Sequence, residues 1–418
     1  MNKRFCMCLS KTMGVVLSAA LLVFNYSAPM RAVRDLPSSV RAYEGQDSIP
    51  LLEQAKRTWM IIGTDAVAVS ARTDERLQNV ADGTVTYRLF GTIPVKSVQI
   101  IRTEDIYLIP GGTAVGITIR TLGVLVVGLG TVDTEDGALS PGAAAGMQAG
   151  DVILEADGET ILNADQLMHV TKASDGELPL VIERNGERIQ TTIRLVRDSA
   201  DQSLRIGLWV RDSTAGVGTL SFVDMETGWF AALGHPVSDI DTQSMLSVRE
   251  GKIIPTEIVD VKIGQQGSPG ELIGVFSITG PSLGKILVNT EYGIFGKTEQ
   301  TYRNPLYQKI PMGYGSEAHT GAAQILATIS DAGVTAFNCE IVRVNAQTSA
   351  ATKGMVVEVT DERLLAATGG IVQGMSGCPI IQDGRLIGIV THVFVNDPTR
   401  GYCVYTEWMR ERILNAAF

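Results

Sequence analysis

A short loop near the end of the chain carries the residues best suited to covalent chemistry. Residues 373–379 read Gln-Gly-Met-Ser-Gly-Cys-Pro, so that Ser376 stands between two glycines. Gly374 allows a sharp backbone turn in which the N–H groups of Gly374 and Ser376 face one point, as an oxyanion hole requires. Gly377 would keep bulk away from an incoming acyl group. The loop predicts a nucleophilic serine, against the alternative of an ordinary glycine-rich hairpin loop.

Two apolar strands joined by an Asp-Gly turn follow this loop, over residues 380–393. A hairpin of this kind would hold the loop in position. The Gly-x-Ser-Gly-x-Pro pattern with its hairpin resembles the nucleophile region of chymotrypsin-type serine peptidases. We therefore expect a catalytic loop here and a serine endopeptidase activity.

Only four histidines can supply the general base for such a serine. His169 belongs to an upstream module and His319 to a polar loop. We predict His235 as the base, because it ends a short apolar strand and heads a turn at Pro236, from which it can reach a second barrel. His392 is the rival; it ends the strand after the serine loop, and a supporting role in the core or on the substrate side is expected for it.

The sequence gives the weakest indication for the acidic partner of this histidine. Asp239 and Asp241 lie close to His235 in sequence and fit turn positions. Asp361 follows an apolar strand, and its carboxylate could accept the Nδ1–H of the histidine and hold the tautomer whose Nε2 takes the serine proton. The segment Thr-Asp-Glu around Asp361 fits a helix N-cap equally well, so both interpretations stay open at this point.

The composition indicates a folded, strand-rich chain of several domains. Its 418 residues allow about three domains of common size, and its 44 glycines accompany many β-branched residues. A net charge of −10 without a basic stretch argues against nucleic acid as the main partner. The cysteines show no metal-site spacing, and we expect neither a metal nor another cofactor. Cys339, Cys378 and Cys403 are expected to be buried thiols, with one disulfide among them as the alternative.

An uncharged, mostly apolar run from residue 12 to residue 30 follows three basic residues. Its length suits a membrane-spanning helix of about 20 residues, and the preceding charges favour a cytoplasmic N-terminus. A signal peptide cut near Ser27 is the alternative. Both interpretations predict that the rest of the chain is exported, with residues 1–34 as cytoplasmic tail and anchor and residues 35–107 as a linker and small β-rich spacer.

Residues 108–197 have the pattern of a peptide-binding module. A run of small residues, then Gly-Met-Gln-Ala-Gly-Asp, an apolar strand and Asp157-Gly158, resembles bacterial PDZ domains. A PDZ domain binds a peptide C-terminus as an added strand at a sheet edge. The predicted edge is the strand of residues 122–128, with the peptide-binding residues Leu122, Gly123, Val124, Leu125 and Val126. Residues 198–418 then form the peptidase domain, a β-barrel fold with few helices.

With these residues in place, the chain resembles the SpoIVB peptidase family of endospore formers over nearly its whole length. The matching segments are residues 122–128, 209–219, 232–235, 351–355, 369–377 and 391–399. The resemblance implies a mainly β protein with an N-terminal membrane helix, a small β-rich spacer, a PDZ domain and a chymotrypsin-like double β-barrel. It assigns the catalytic triad to His235, Asp361 and Ser376. Two positions depart from the family pattern: Pro236 replaces a glycine, and Cys378 replaces a serine, which places an oxidisable thiol beside the nucleophile.

The same resemblance implies a membrane-tethered, self-cleaving serine endopeptidase of sporulation signalling. Such an enzyme enters the space between the two forespore membranes and cuts its own N-terminal segment, here expected before residue 60. It then cleaves a membrane-bound regulatory protein of an intramembrane metalloprotease complex, which triggers processing of a pro-sigma factor. The PDZ domain would bind the enzyme's own segment or the C-terminus of that partner.

Two other functions compete with this one. The first is a catalytically inactive PDZ adaptor held at the membrane. The second is a Deg-type quality-control protease, in which the protease usually precedes the PDZ domain, whereas the order predicted here is reversed. Deleting residues 108–197 is expected to abolish all function of an adaptor but to leave a peptidase some cleavage.

Overall fold

The computed structural model describes residues 39–43, 64–67, 83–89, 93–347 and 349–417. The predicted membrane segment and the expected self-cleavage region lie largely outside these ranges. Within them, no helix is both long and apolar enough to cross a membrane.

Strands dominate the secondary structure, as the composition predicts. The strands are β1 (Ser39–Tyr43), β2 (Thr64–Val67), β3 (Gly83–Leu89), β4 (Ile93–Thr103), β5 (Tyr107–Pro110), β6 (Ala114–Leu129), β7 (Val132–Thr134), β8 (Gly137–Leu139), β9 (Val152–Ala156), β10 (Glu159–Thr160), β11 (Glu177–Arg184), β12 (Glu187–Arg194), β13 (Val196–Arg197), β14 (Leu204–Arg205), β15 (Leu208–Asp224), β16 (Trp229–Ala232), β17 (Val248–Pro255), β18 (Glu257–Lys262), β19 (Glu271–Val275), β20 (Gly284–Thr290), β21 (Gly293–Thr298), β22 (Ile310–Pro311), β23 (Gly321–Ala327), β24 (Thr335–Val344), β25 (Met355–Val359), β26 (Pro379–Gln382), β27 (Arg385–Phe394) and β28 (Asp397–Tyr405). The helices are α1 (Pro141–Ala144), α2 (Ala164–Ala173), α3 (Glu362–Thr368) and α4 (Thr406–Ala417).

The first compact unit, Met1–Ile106, contains a four-stranded sheet. Its strand order is β1-β4-β3-β2, with β1 parallel to β4 and the other neighbours antiparallel. The antiparallel pairing of β3 with β4 forms a hairpin within the predicted β-rich spacer. None of the residues predicted to be catalytic lies in this unit.

The second compact unit, Tyr107–Phe418, begins with a closed barrel. The strands β6, β17, β20, β21, β16 and β15 pair in this order, and β15 pairs back onto β6. Aliphatic and aromatic side chains fill the interior, including Ile119, Phe230, Ile253 and Ile294, each fully buried. Burial of such side chains stabilises the barrel by roughly 1.5–3 kcal/mol each.

A second closed barrel follows in the same unit, with the strand order β23-β24-β25-β28-β27-β26. Its core contains Ile325, Ile341, Val357 and Tyr405, all buried. The helix α4 follows β28 directly. Two consecutive antiparallel barrels of six strands are the predicted chymotrypsin-like architecture.

The PDZ region does not form a sheet of its own. The strands β12, β11 and β9 continue the sheet from the second half of β6, whereas the first half of β6 belongs to the first barrel. The strand β15 likewise pairs with both halves of β6. The elements from β7 to β14, with α1 and α2, are therefore inserted between two strands of the first barrel, and residues 108–121 of the predicted PDZ range belong to the peptidase sheet.

Two local sequence signals specify elements of this insert. Asn163 caps α2, since its side-chain oxygen accepts a hydrogen bond from the Gln166 N–H at 2.8 Å, as a preferred N-cap residue does. A turn at Asn185 and Gly186, both with positive φ, joins β11 to β12. These residue types tolerate that conformation and specify the hairpin.

The predicted peptide-binding edge, by contrast, is wrong. Of Leu122, Gly123, Val124, Leu125 and Val126, the last three pair with neighbouring strands. Leu125 lies opposite Val152 of β9 on one side and Arg211 of β15 on the other. An interior strand with partners on both sides has no unpaired backbone for an added peptide. The continuous apolar run of this segment reflects burial in the sheet, where residues 123–126 are all buried.

Candidate active site

The serine loop lies where the two barrels meet, between α3 and β26. It contacts separate parts of the chain through its backbone. The Gln373 carbonyl accepts a hydrogen bond from Leu272 N–H at 2.9 Å, and Gly377 N–H donates to the Val390 carbonyl at 2.8 Å. The strands β19 and β27 thereby hold the two ends of the loop.

Most N–H groups of this loop are engaged. Those of Met375, Gly377 and Cys378 all donate to backbone carbonyls. Over the ranges that the structure describes, the N–H groups of Gly374 and Ser376 donate to no protein acceptor. These are the two donors that the sequence predicts for an oxyanion hole, and both are left available for a developing negative charge. Their assignment to that role stays a prediction.

Glycine is needed at two positions of the loop, for different structural reasons. Gly374 has φ +94°, a conformation that a residue with a side chain rarely adopts. Gly377 has φ +103°, and a Cβ there would overlap the Thr219 carbonyl oxygen and approach the Leu233 nitrogen to 2.8 Å. The sequence predicts that Gly377 leaves space for an acyl group; its surroundings show instead that it lets the serine loop pack directly against the backbone of the first barrel.

His235 follows β16 of the first barrel after a strained turn. The preceding Leu233 has φ +72°, which costs a residue with a side chain roughly 1–2 kcal/mol. A Cβ on Gly234 would lie 3.2 Å from the Val390 carbonyl oxygen and 3.1 Å from the Thr391 methyl group. The turn before the histidine therefore packs closely against the second barrel. Strained backbone of the kind found at Leu233 is concentrated at functional sites.

The tautomer of His235 is set by a backbone carbonyl. Its Nδ1 lies 2.8 Å from the Pro236 carbonyl oxygen. Because a carbonyl can only accept, Nδ1 carries the proton and the Nε2 lone pair is left to act as a base. Burial lowers the pKa of His235, and the bond to Pro236 opposes this shift only in part. The histidine is thus neutral, as a general base must be.

Ser376 and His235 contact two adjacent residues of β27. The Ser376 hydroxyl donates to the Thr391 carbonyl at 2.8 Å. The His235 ring lies beside the His392 ring, with centroids 5.1 Å apart and a tilt of 39°. No hydrogen bond joins Oγ of Ser376 to the His235 ring among the described contacts, so their catalytic pairing stays a prediction. His392, the rival base, packs against the predicted base, and burial together with the neighbouring His235 and Lys353 lowers its pKa.

Asp361 is not joined to this pair. Its carboxylate caps α3 by accepting from the Arg363 N–H at 3.0 Å, and it also accepts from the Asn338 N–H at 3.0 Å. The Arg363 guanidinium completes the set at 2.8 Å and 3.0 Å, and it holds the pKa of the carboxyl well below its usual range. The expected bond to Nδ1 of His235 is absent from the described contacts, and Pro236 takes its place. The helix-cap interpretation is confirmed, and the catalytic role of Asp361 stays a prediction.

Thr219 and Arg211 also hold parts of the site together, and the sequence pattern predicts neither role. Thr219 of β15 bonds to the serine loop through both its side chain and its backbone. Arg211, earlier on the same strand, forms ion pairs with Asp239 and Asp241 just after His235. Asp239 also accepts from the Asp241 and Thr242 N–H groups, which confirms its predicted role in a turn. A threonine or arginine in a strand carries no signal of such long-range contacts.

The three cysteines of the second barrel are free and buried, as expected. Cys378 is fully enclosed next to the nucleophile, and burial raises its pKa to about 12. A thiol of this kind contains almost no reactive thiolate. In the described part of the chain, no group of His, Cys, Asp and Glu side chains is arranged to hold a metal ion.

A comparison with protein families shows which family the chain belongs to. The sequence profile described as SpoIVB peptidase S55 matches residues 202–410, which include His235, Asp361 and Ser376. The chain belongs to the SpoIVB peptidase S55 family. A PDZ-domain profile matches residues 137–184, within the insert. This family member is a serine peptidase, as the serine loop predicts.

Several solved structures resemble parts of this SpoIVB-type peptidase, and no curated protein sequence matches it. The PDZ domain of an SdrC-like protein from Listeria monocytogenes shares 19% identity over 22% of this chain and 90% of its own, with a TM-score of 0.18. Rv3671c from M. tuberculosis H37Rv, an inactive serine-to-alanine mutant, shares 10% identity over 48% of this chain and 82% of its own, with a TM-score of 0.25. The HtrA-type protease AlgW with a decapeptide shares 12% identity over 53% of this chain and 61% of its own, with a TM-score of 0.28.

Proposed function

We propose that the protein is a membrane-tethered, self-cleaving serine endopeptidase of sporulation signalling. It acts in the space between the two forespore membranes and cleaves a membrane-bound regulatory protein of an intramembrane metalloprotease complex, which triggers processing of a pro-sigma factor. The observation that carries the proposal is the family match over residues 202–410, together with a serine loop whose two unengaged N–H groups belong to Gly374 and Ser376.

The proposed reaction starts with rotation of the Ser376 hydroxyl from the Thr391 carbonyl toward His235. Nε2 of His235 takes the proton while Oγ bonds to the scissile carbonyl carbon, and the resulting oxyanion is held by the N–H groups of Gly374 and Ser376. The protonated histidine then gives its proton to the leaving amine, and water repeats the sequence in reverse to release the acyl group. The Pro236 carbonyl holds the imidazole in place throughout.

The PDZ part is proposed to deliver peptide at a different edge from the one predicted from sequence. Residues 208–211 of β15 pair with β6 on one side, and no other strand of the described chain pairs with their second side. The helix α2 begins beside this edge, since the Asp212 carboxylate accepts from the Ala164 N–H at 2.9 Å. An extended C-terminus can add as a strand between β15 and α2. The proposed occupants are the enzyme's own N-terminal segment and the C-terminus of the regulatory partner.

The decisive experiment compares full-length protein in lipid vesicles in three forms: wild type, Ser376→Ala and Ser199→Ala. Ser199 is an exposed serine in the PDZ part, so its substitution controls for the loss of a hydroxyl elsewhere. Fragments are expected from wild type and Ser199→Ala only, with a first cut before residue 60. Equal cleavage by Ser376→Ala, or no cleavage by wild type even with the regulatory partner present, would reject the proposal.

A second test addresses the cellular role. In the endospore-forming host, replacing the gene with the Ser376→Ala form should leave the protein level unchanged and block processing of the pro-sigma factor. Immunoblotting of the pro-sigma factor through sporulation measures this directly. Normal processing with Ser376→Ala would indicate that the protein acts as an adaptor.

A further inference from the structure

Thr219 occupies the interior of β15 at the contact between the two barrels. Only 1% of its surface is exposed. Its hydroxyl donates to the Gly374 carbonyl at 2.7 Å, and its N–H donates to the Ser376 carbonyl at 3.1 Å. Its own carbonyl accepts from the Leu233 N–H at 3.2 Å, two residues before His235. One residue thus contacts both the serine loop and the histidine turn.

The two carbonyls that Thr219 binds belong to the two residues whose N–H groups are unengaged. Each peptide plane joins the carbonyl of one residue to the N–H of the next. The Ser376 N–H belongs to the Met375–Ser376 plane, and Thr219 binds the carbonyl of the plane on each side of it, so the rotation of this N–H is limited. Gly374 is the weaker point, because a glycine rotates freely between alternative conformations.

We propose that Thr219 is a positioning residue that holds the oxyanion hole in its working geometry. It touches no reacting atom; it acts through the Gly374 and Ser376 carbonyls. The hydroxyl is the part of the side chain that matters, because an isosteric valine would leave the half-buried Gly374 carbonyl without a partner. The loop would then relax toward conformations in which a carbonyl replaces one N–H at the site of the developing charge. This inference rests on the proposed catalytic role of Ser376.

The test measures how fast a fluorophosphonate probe labels Ser376 in the full-length protein. In that reaction Oγ bonds to phosphorus, fluoride leaves, His235 takes the hydroxyl proton, and negative charge develops on the phosphoryl oxygen. The rate therefore depends on the oxyanion donors without knowledge of the natural substrate. Four proteins are compared: wild type, Thr219→Val, Thr219→Ser and Thr328→Val. Thr328 is the matched control, because its buried hydroxyl also donates to a backbone carbonyl across the two barrels, that of Gly112 at 2.9 Å.

Thr219→Val is expected to label about 10- to 100-fold more slowly, since removing an oxyanion donor costs at most about 10²–10³ in rate. Thr219→Ser keeps the hydroxyl and should label within about threefold of wild type, and Thr328→Val should match wild type. The pH midpoint of labelling should be the same in every variant, because the base is unchanged. Thermal unfolding of each variant separates a rate effect from loss of folded protein.

Four outcomes would overturn the inference. Thr219→Val could label as fast as wild type, which would leave the catalytic role of Ser376 intact and refute only the role of Thr219. Thr219→Ser could be as slow as Thr219→Val, or Thr328→Val equally slow, which would indicate a packing effect. If wild type is not labelled at Ser376 at all, the proposed catalytic function fails and the role of Thr219 fails with it.

Discussion

Asp361 offers the sharpest test of the active-site geometry, because family resemblance and observed contacts give it different roles. The resemblance makes it the acid of a triad. The structure makes it the cap of α3 and the partner of Arg363, and within the described residues it forms no hydrogen bond with His235. Substituting Asp361 by asparagine or alanine separates the two roles, since asparagine caps a helix as well as aspartate does but carries no charge.

The expected effect on stability follows from the hydrogen bonds that the Asp361 carboxylate accepts. For Asp361→Ala, removal of the cap costs about 1 kcal/mol, and the unpaired Asn338 N–H costs about 1 kcal/mol more. The ion pair adds little, because the Arg363 side chain is 65% exposed and its charge is screened by solvent. The free energy of unfolding should fall by about 2–3 kcal/mol for alanine and by about 1 kcal/mol for asparagine.

The pH dependence of this stabilisation has a definite sign. The folded-state pKa of the Asp361 carboxyl is lowered by the Arg363 hydrogen bonds, so the carboxylate stabilises the fold above the ordinary value of about 3.9. Its contribution disappears as the pH falls through the lower folded-state value. Urea unfolding of wild type and Asp361→Ala should therefore differ most near neutral pH and converge in strong acid.

The assay for catalysis is again the labelling of Ser376 by a fluorophosphonate. The observed contacts predict that Asp361→Asn labels within about tenfold of wild type, whereas loss of a triad aspartate costs about 10⁴. Arg363→Met is the matched control, because it removes the ion pair and leaves the carboxylate in place. A stably folded Asp361→Asn protein whose labelling rate falls by about 10⁴ would refute the reasoning, since that is the cost of losing a triad aspartate. It would mean that the carboxylate moves to His235 in the active state.

Three further predictions concern the same site. Labelling of Ser376 should persist below the ordinary histidine pKa of about 6.5, because burial lowers the pKa of His235; a pH profile with a midpoint above that value would contradict this. Gly377→Ala should slow labelling by at least about tenfold, as a displaced oxyanion donor does, whereas Gly384→Ala, with similar positive φ but open surroundings, should not. Cys378 should resist iodoacetamide and peroxide in the folded protein, measured by mass spectrometry, and rapid modification would show that the thiol is accessible.

Much of the site is predictable because its signals are local. The serine loop needs two glycines at fixed positions, and Gly374 and Gly377 indeed have positive φ. The N-cap at Asn163 is likewise specified by a few adjacent residues. Patterns of this kind depend on backbone geometry within one turn, so a single sequence contains them in full.

The errors come from contacts that sequence does not encode locally. Residues 122–126 form a continuous apolar run, and nothing in that run says that β15 covers the second side. Asp361 has the residue type that suits both a triad and a helix cap, and only the position of Arg363 and Asn338 distinguishes them. The place of Cys378 beside the nucleophile suggests a thiol open to oxidation, yet its side chain is fully buried in the core.

The insertion of the PDZ part changes what an internal deletion means. Removing residues 108–197 takes away nearly all of β5 and all of β6, and the first barrel cannot close without β6. Loss of cleavage after that deletion would follow for an adaptor and a peptidase alike. A deletion confined to the insert, rejoining β6 to β15, is the informative one.

Because of the same insertion, the first barrel can close only late in the synthesis of the chain. The strand β6 emerges early, but its partner β15 follows only after the whole PDZ segment, and the serine loop comes later still. Contacts between distant parts of a chain form slowly, because the intervening segment must first be ordered. Under the proposed export, a nascent chain crosses the membrane with its barrel open and its serine unassembled. Catalytic competence then begins only when the molecule is complete, on the side of the membrane where its proposed substrate lies.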